Sequence, residues 1–236
     1  MNADPFDRVV IVGLGLIGGS LAHVLMPHLR VVGVDADPPT CDAARSDGID
    51  IVADVRDAAG SGALVVVAVP VPHVGGVFTQ LGECEGQLVT DVASVKEPVV
   101  DAARRSSLRF VGGHPMAGRE ISGYAAATDS LFSGARWALC LDPDASVSDA
   151  LDIAAVVLAT GASVVPTVAA DHDRTVAIVS HLPHVLAAVL AGEAGADTTR
   201  DLAFGLAAGS FRDGTRVARS PAEFWAGISV ENAANL

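Results

Sequence analysis

Two groups of residues in this chain could act together on a small molecule. The turn Gly13-Leu14-Gly15-Leu16-Ile17-Gly18 follows the apolar run Val9-Val10-Ile11-Val12. Well downstream, His114 stands in Gly112-Gly113-His114-Pro115-Met116-Ala117-Gly118-Arg119-Glu120, a stretch whose Gly and Pro content reads as a loop. Glycines at the first spacing have separate tasks: Gly13 makes the tight turn, Gly15 lets backbone approach a pyrophosphate, and Gly18 lets helix pack on strand. The helix opened by Leu16 and Ile17 turns unpaired N–H groups and a positive dipole end toward the phosphates. An imidazole can accept a proton near neutral pH. A dinucleotide site with such a base beside it is enough to dehydrogenate an alcohol.

These residues need a frame to hold them. The runs Val9–Val12, Val31–Val34, Leu64–Val69, Leu88–Asp91, Arg109–Val111 and Trp137–Leu141 are short and apolar, with segments of helical spacing such as Gly18–Leu29 and Pro72–Leu81 between them. Alternation of this kind predicts βαβ units and a parallel sheet with right-handed crossovers. His114 follows one of these strands, near the carboxyl edge where open α/β sheets bind ligands. Asp35 ends the second strand, about 20 residues past the glycine turn, where a carboxylate accepts hydrogen bonds from ribose hydroxyls. A carboxylate there repels a 2′-phosphate, so NAD is expected rather than NADP. From Thr167 onward the pattern is helical, over Ala169–Ala191, Thr199–Ala208 and Pro221 to the end. The expected architecture is α/β: a Rossmann-type, mostly parallel sheet over residues 1–166, then a smaller all-helical domain over residues 167–236.

Composition narrows the function classes. A formal net charge of −13 argues against nucleic acid or an anionic membrane as partner. Cys41, Cys84 and Cys140 are far apart and lack metal-ligand spacing, as expected of reduced thiols. No basic leader with a cleavage pattern opens the chain, and the uncharged stretch Ile153–Ala170 is broken by Gly161 and Pro166, reading as a helix ending and a strand beginning. A soluble, cytoplasmic protein is expected.

Other candidates carry competing readings. His23, His28 and His73 lie in or beside predicted helices and read as surface or helix-end residues. His181 and His184 share a face of the first long helix beyond Thr167, and Pro183 between them predicts a kink. The pair could hold a metal, but no matching carboxylate or cysteine supports one, and none is expected. Arg216 could grip a carboxylate bidentately or pair with Asp213 or Glu223. Lys96 reads as a partner for nearby carboxylates.

The ordered set GLGLIGGS, Asp91-Val92-Ala93-Ser94-Val95-Lys96, GGHPMAGRE, Ser180-His181-Leu182-Pro183-His184 and Thr215-Arg216-Val217-Ala218 resembles the prephenate/arogenate dehydrogenase family of tyrosine biosynthesis. The resemblance runs from about Val9 to the end of the chain. It implies NAD-dependent oxidative decarboxylation of prephenate to 4-hydroxyphenylpyruvate, with arogenate as the rival substrate and a catalytically silent dinucleotide sensor as a remote alternative. It further implies that His114 accepts the substrate's hydroxyl proton and that Ser94 orients it. Arg216 would hold the ring carboxylate, while His184 and Glu120 line the substrate pocket. Family members form homodimers through the helical domain and continue with more helix beyond the segment near Trp225. This chain stops at Leu236, so either a short interface or an incomplete chain is expected, and no mutase or ligand-sensing domain.

Overall fold

The computed structural model describes residues 5–196 and 198–236, in two compact units, residues 1–172 and 173–236. The first is built on eight strands: β1 (Arg8–Val12), β2 (Arg30–Val34), β3 (Asp50–Ile51), β4 (Ala63–Val67), β5 (Leu88–Asp91), β6 (Arg109–Pro115), β7 (Arg136–Cys140) and β8 (Ser163–Thr167). They form one sheet in the order β3-β2-β1-β4-β5-β6-β7-β8. Its helices are α1 (Leu16–Leu25), α2 (Pro38–Ser46), α3 (Val71–Leu81), α4 (Glu97–Arg105) and α5 (Val147–Ala159).

Successive residues of a strand face opposite sides of a sheet. Val9 and Ile11 accordingly join a core with Leu21 of α1 and Ile153 of α5, while Val10 and Val12 join a second core with Phe78 of α3 and Val99 of α4. Both faces are covered, which is why the central strands read as unbroken apolar runs. The order reverses between β1 and β4, and such a switch point opens a ligand crevice at the carboxyl ends of the strands.

The sheet is mostly parallel, as expected, and two details concern β6 and β7. Every strand pair is parallel except β6 with β7, which run antiparallel. The link between these two strands holds a short 3-10 turn, Tyr124–Ala126, in place of a crossover helix. In addition, β6 does not end at Val111. It leaves its parallel partner β5 there and continues through Gly112, Gly113, His114 and Pro115 against β7. His114 is therefore a buried strand residue, not part of a loop.

A close approach explains the glycine in front of it. A Cβ on Gly113 would lie 2.5 Å from the Asp91 carbonyl oxygen, so only glycine lets β6 pass β5 at this point. Polar bonds then fasten the extension. The Asp91 carboxylate accepts from Gly113 N–H at 3.0 Å and from Ala93 N–H at 2.9 Å. Its remaining partner is the Lys96 ammonium, which also donates to the Gly113 carbonyl at 2.8 Å. Both side chains are fully buried.

The helical unit is entered along a continuous helix, Ala169–Ala196. It comprises α6 (Ala169–Val176), a π-helical segment Ala177–His181, and α7 (Leu182–Ala196). Pro183 cannot donate to the carbonyl one turn back and its ring crowds it, and the wider π turn directly before Leu182 relieves that conflict. Then follow α8 (Arg200–Leu206), α9 (Gly209–Thr215), a 3-10 turn Arg216–Arg219 and α10 (Ala222–Glu231).

Replacing Lys96 with Met would strand the Asp91 charge in the interior. The variant is expected to lose about 3–5 kcal/mol of unfolding free energy in urea titrations. A loss no larger than that of a surface ion pair, under about 1 kcal/mol, would contradict the clamp.

Candidate active site

The glycine turn is shaped from below by backbone and from the side by Asp35. Gly13 N–H donates to the Val34 carbonyl at 2.8 Å, which ties the turn to β2. A Cβ on Gly18 would sit 1.9 Å from the Gly13 carbonyl oxygen, so helix α1 could not start so close to β1 with any other residue there. Gly15 caps α1 without a side-chain bond, the first turn carries no acidic residue, and a Cβ on Gly15 would meet nothing within 4 Å. These are the features a bound pyrophosphate requires. The Asp35 carboxylate accepts from Leu14 N–H at 2.6 Å and from Asp37 N–H at 2.9 Å, which aims it at the turn. Each of its oxygens has a second lone pair to offer a hydroxyl.

The nucleotide helix is also tied to the loop that follows His114. The Tyr124 hydroxyl donates to Asp47 at 2.9 Å and lies 2.9 Å from Nε2 of His23, and Thr128 N–H donates to Ser20 Oγ at 3.0 Å. Burial, then the Asp47 carboxylate, push the phenol pKa of Tyr124 up. His23, expected as a surface or helix-end residue, is half-buried near the end of α1 with Tyr124 as its partner.

His114, 7% exposed, meets His172, 4% exposed, through Nδ1 to Nε2 at 2.9 Å. The rings meet edge to face, 68° apart. His172 lies in the first turn of α6, where its N–H bonds the Val168 carbonyl. Ser94 is half-buried in the connection from β5 to α4, two residues before Lys96, and Glu120 is half-buried in the loop beyond β6. Lys96 is drawn inward by Asp91, in line with its reading as a partner for a nearby carboxylate.

In the helical unit, His184 stacks on Trp225 with ring centres 3.6 Å apart and planes 11° from parallel. Burial lowers its pKa. His181, inside the π segment, is fixed by Asn232. The Asn232 amide nitrogen donates to the Asp173 carbonyl at 2.9 Å and lies 3.1 Å from Nδ1 of His181. A carbonyl can only accept, so this atom is the NH2 group, and His181 accepts at Nδ1 and carries its hydrogen on Nε2. Arg216 opens the 3-10 turn after α9 with its side chain exposed.

His172, Trp225 and Asn232 were not picked out from the sequence. A signal existed for the first: His172 sits between Asp171 and Asp173 at the start of the long helix, an unusual place for a core imidazole. A cavity of about 180 Å³ between α4 and α5 is lined by none of these residues, and its Arg104 and Arg109 are already paired with Asp144 and Asp149. Among the described residues no group of three or more His, Cys, Asp or Glu is arranged to hold a metal.

The strand order, the glycine turn and Asp35 define a dinucleotide-binding α/β protein of the Rossmann class with a helical unit appended. Comparison with known proteins narrows this. The model for the prephenate dehydrogenase nucleotide-binding domain matches residues 22–166, and that for the prephenate dehydrogenase dimerization domain matches residues 168–236. The chain belongs to the prephenate dehydrogenase family. It is 34% identical over 240 residues to prephenate dehydrogenase of Bacillus subtilis, covering 96% of this chain and 64% of that protein. It therefore spans just under two thirds of that relative's length. The crystal structure of A. aeolicus prephenate dehydrogenase in complex with hydroxyphenyl propionate and NAD+ matches with a TM-score of 0.88 at 31% identity, over 98% of this chain and 84% of that one. Synechocystis arogenate dehydrogenase matches with a TM-score of 0.79 at 28% identity, over 97% and 85%.

The stacked His184 gives a test by pH. Its folded-state pKa lies below the ordinary 6.5, so the unfolded chain takes up a proton first as pH falls. Stability from this site is whole above that value and is lost as pH drops through the folded-state pKa. An NMR titration of the His184 ring is expected to show a midpoint below 6.5; a midpoint at or above it would contradict the burial argument.

Proposed function

We propose that this chain catalyses the NAD-dependent oxidative decarboxylation of prephenate to 4-hydroxyphenylpyruvate. The observation that carries the reading is His114. It is a buried imidazole at the carboxyl end of the sheet whose glycine turn is built for a dinucleotide, and one of its ring nitrogens is already engaged within the protein. The family match and the A. aeolicus complex support both the substrate class and the cofactor.

The roles follow from residue chemistry. Backbone at Gly13, Gly15, Leu16, Ile17 and Gly18 would hold the cofactor phosphates and Asp35 the ribose hydroxyls. NAD, when bound, supplies the acceptor for the hydrogen and electron pair of the substrate's C–H bond. His114 takes the hydroxyl proton, and Ser94 helps orient it. Arg216 holds the ring carboxylate until it leaves as CO2, and loss of that group makes the ring aromatic, which drives the reaction forward. His184 and Glu120 line the pocket for the rest of the substrate. In this reading residues 1–166 bind nucleotide, and residues 167–236 bind substrate and pair two chains.

The pairing surface we infer is the stripe Ile178, Leu182, Leu186 and Leu190, exposed at helical spacing along Ala169–Ala196. This helix is long and apolar enough to cross a membrane. Buried His181 and His184 and the π turn at its middle favour a subunit contact instead. With a net charge of −13, a cytoplasmic homodimer without nucleic-acid or membrane partners is the consistent reading.

The likeness to an arogenate dehydrogenase favours a second reading, arogenate converted directly to tyrosine by the same chemistry. NADH formation measured with prephenate and arogenate in parallel separates the two. Turnover of prephenate is expected, turnover of arogenate alone would replace the substrate, and binding of NAD without turnover of either would favour a sensor. His114→Asn is expected to lower kcat by roughly 10²–10⁴-fold with NAD binding retained. Unchanged turnover would remove His114 from the chemistry.

Asp35→Ala is expected to narrow the ratio of kcat/KM with NAD to that with NADP, since it removes the carboxylate that repels a 2′-phosphate. A ratio equal to wild type would place the selectivity in other residues.

A further inference from the structure

We infer that His172 is a positioning residue for His114, holding it in the tautomer that carries hydrogen on Nδ1. The inference deepens the reading above and rests on His114 being the base. The 2.9 Å contact joins Nδ1 of His114 to Nε2 of His172, and a single hydrogen lies between them. Two arrangements exist for neutral rings. If His172 donated, Nδ1 of His114 would be the acceptor and its hydrogen would sit on Nε2, leaving no lone pair for a substrate proton. If His114 donates, Nε2 keeps its lone pair. Only the second arrangement yields a base.

The same bond serves the protonated state. When the substrate O–H bond breaks, its electron pair stays on oxygen and the proton bonds to Nε2 of His114. The ring is then a cation with hydrogen on both nitrogens, and its Nδ1–H needs an acceptor in a place with little water. His172 Nε2 is that acceptor, so one bond fixes the tautomer before the transfer and supports the charge after it. This is the task a carboxylate performs in other base-catalysed sites, here given to a second imidazole.

The position of His172 is set by the sheet itself. The Leu141 N–H donates to the Thr167 carbonyl at 2.7 Å, closing β8 onto β7, and α6 begins two residues later. Ala169 N–H then donates to the Asp142 carboxylate at 3.4 Å, anchoring the first turn of α6 to the segment after β7. Since β7 also pairs with the His114 extension of β6, both imidazoles are held from one strand.

Two measurements on the full chain test this. Long-range proton–nitrogen NMR correlations of the histidine rings, above the ordinary histidine titration range and without substrate, are expected to show His114 with hydrogen on Nδ1. In His172→Leu they are expected to show a mixture or the Nε2–H form. Steady-state kinetics are expected to show kcat reduced by roughly 10²-fold in His172→Leu, with KM for NAD unchanged. His172→Gln, which can place an amide oxygen near the lost nitrogen, is expected to recover kcat to within about tenfold of wild type. An Nε2–H tautomer of His114 in the wild type, or His172→Leu turning over at the wild-type rate, overturns the inference. If wild type turns over neither prephenate nor arogenate, the functional reading falls while the NMR result still decides the tautomer.

Discussion

The Asp91 carboxylate lies at the end of β5 without exposure to water, and three donors converge on it: two backbone N–H groups and the ammonium of Lys96. Removing two opposite charges from water is costly, and the cost is offset only when each is fully bonded. Here Lys96 donates to both the carboxylate and the Gly113 carbonyl, so the pair grips both polar groups of Gly113. That grip holds β6 against β5 just where β6 turns to β7 for partners. His114 is the next residue. The buried pair therefore does its service less as a source of stability than as a fixed point from which the His114 imidazole is presented.

The other end of the sheet follows a similar rule with weaker means. Asp35 holds the glycine turn by accepting from Leu14 N–H, so the carboxylate suited to a ribose also shapes the loop suited to phosphates. Tyr124 and Thr128 fasten the segment beyond His114 to α1 through Asp47 and Ser20. The glycine turn and the segment beyond the His114 strand are thus fastened to one another.

Much of this was legible in the sequence because the central strands are buried on both faces. Val9–Val12 and Leu88–Asp91 read as continuous apolar runs, and the glycine turn followed the first of them at the right distance from Asp35. Local pattern failed where a tertiary contact decides. Gly and Pro around His114 read as a loop, yet Gly113 is needed for one strand to pass close by another. The two-residue β3 is too short to show a period. His172 escaped notice because its meaning lies in a ring 58 residues away. Likewise Trp225 acquires a role only through the stack with His184. The family motifs pointed to Ser94, Glu120 and Arg216, but their tasks depend on a substrate, and no spacing rule states where one sits.

Native-state hydrogen exchange at the Gly113 amide tests the central claim most directly. If the Asp91 carboxylate fixes the β6 extension, this N–H opens only when the whole unit unfolds. Its exchange free energy should then equal the global stability from denaturant titration. Exchange through a local opening of much smaller free energy, with the β1 and β4 amides still protected, would show that the extension is not held as described.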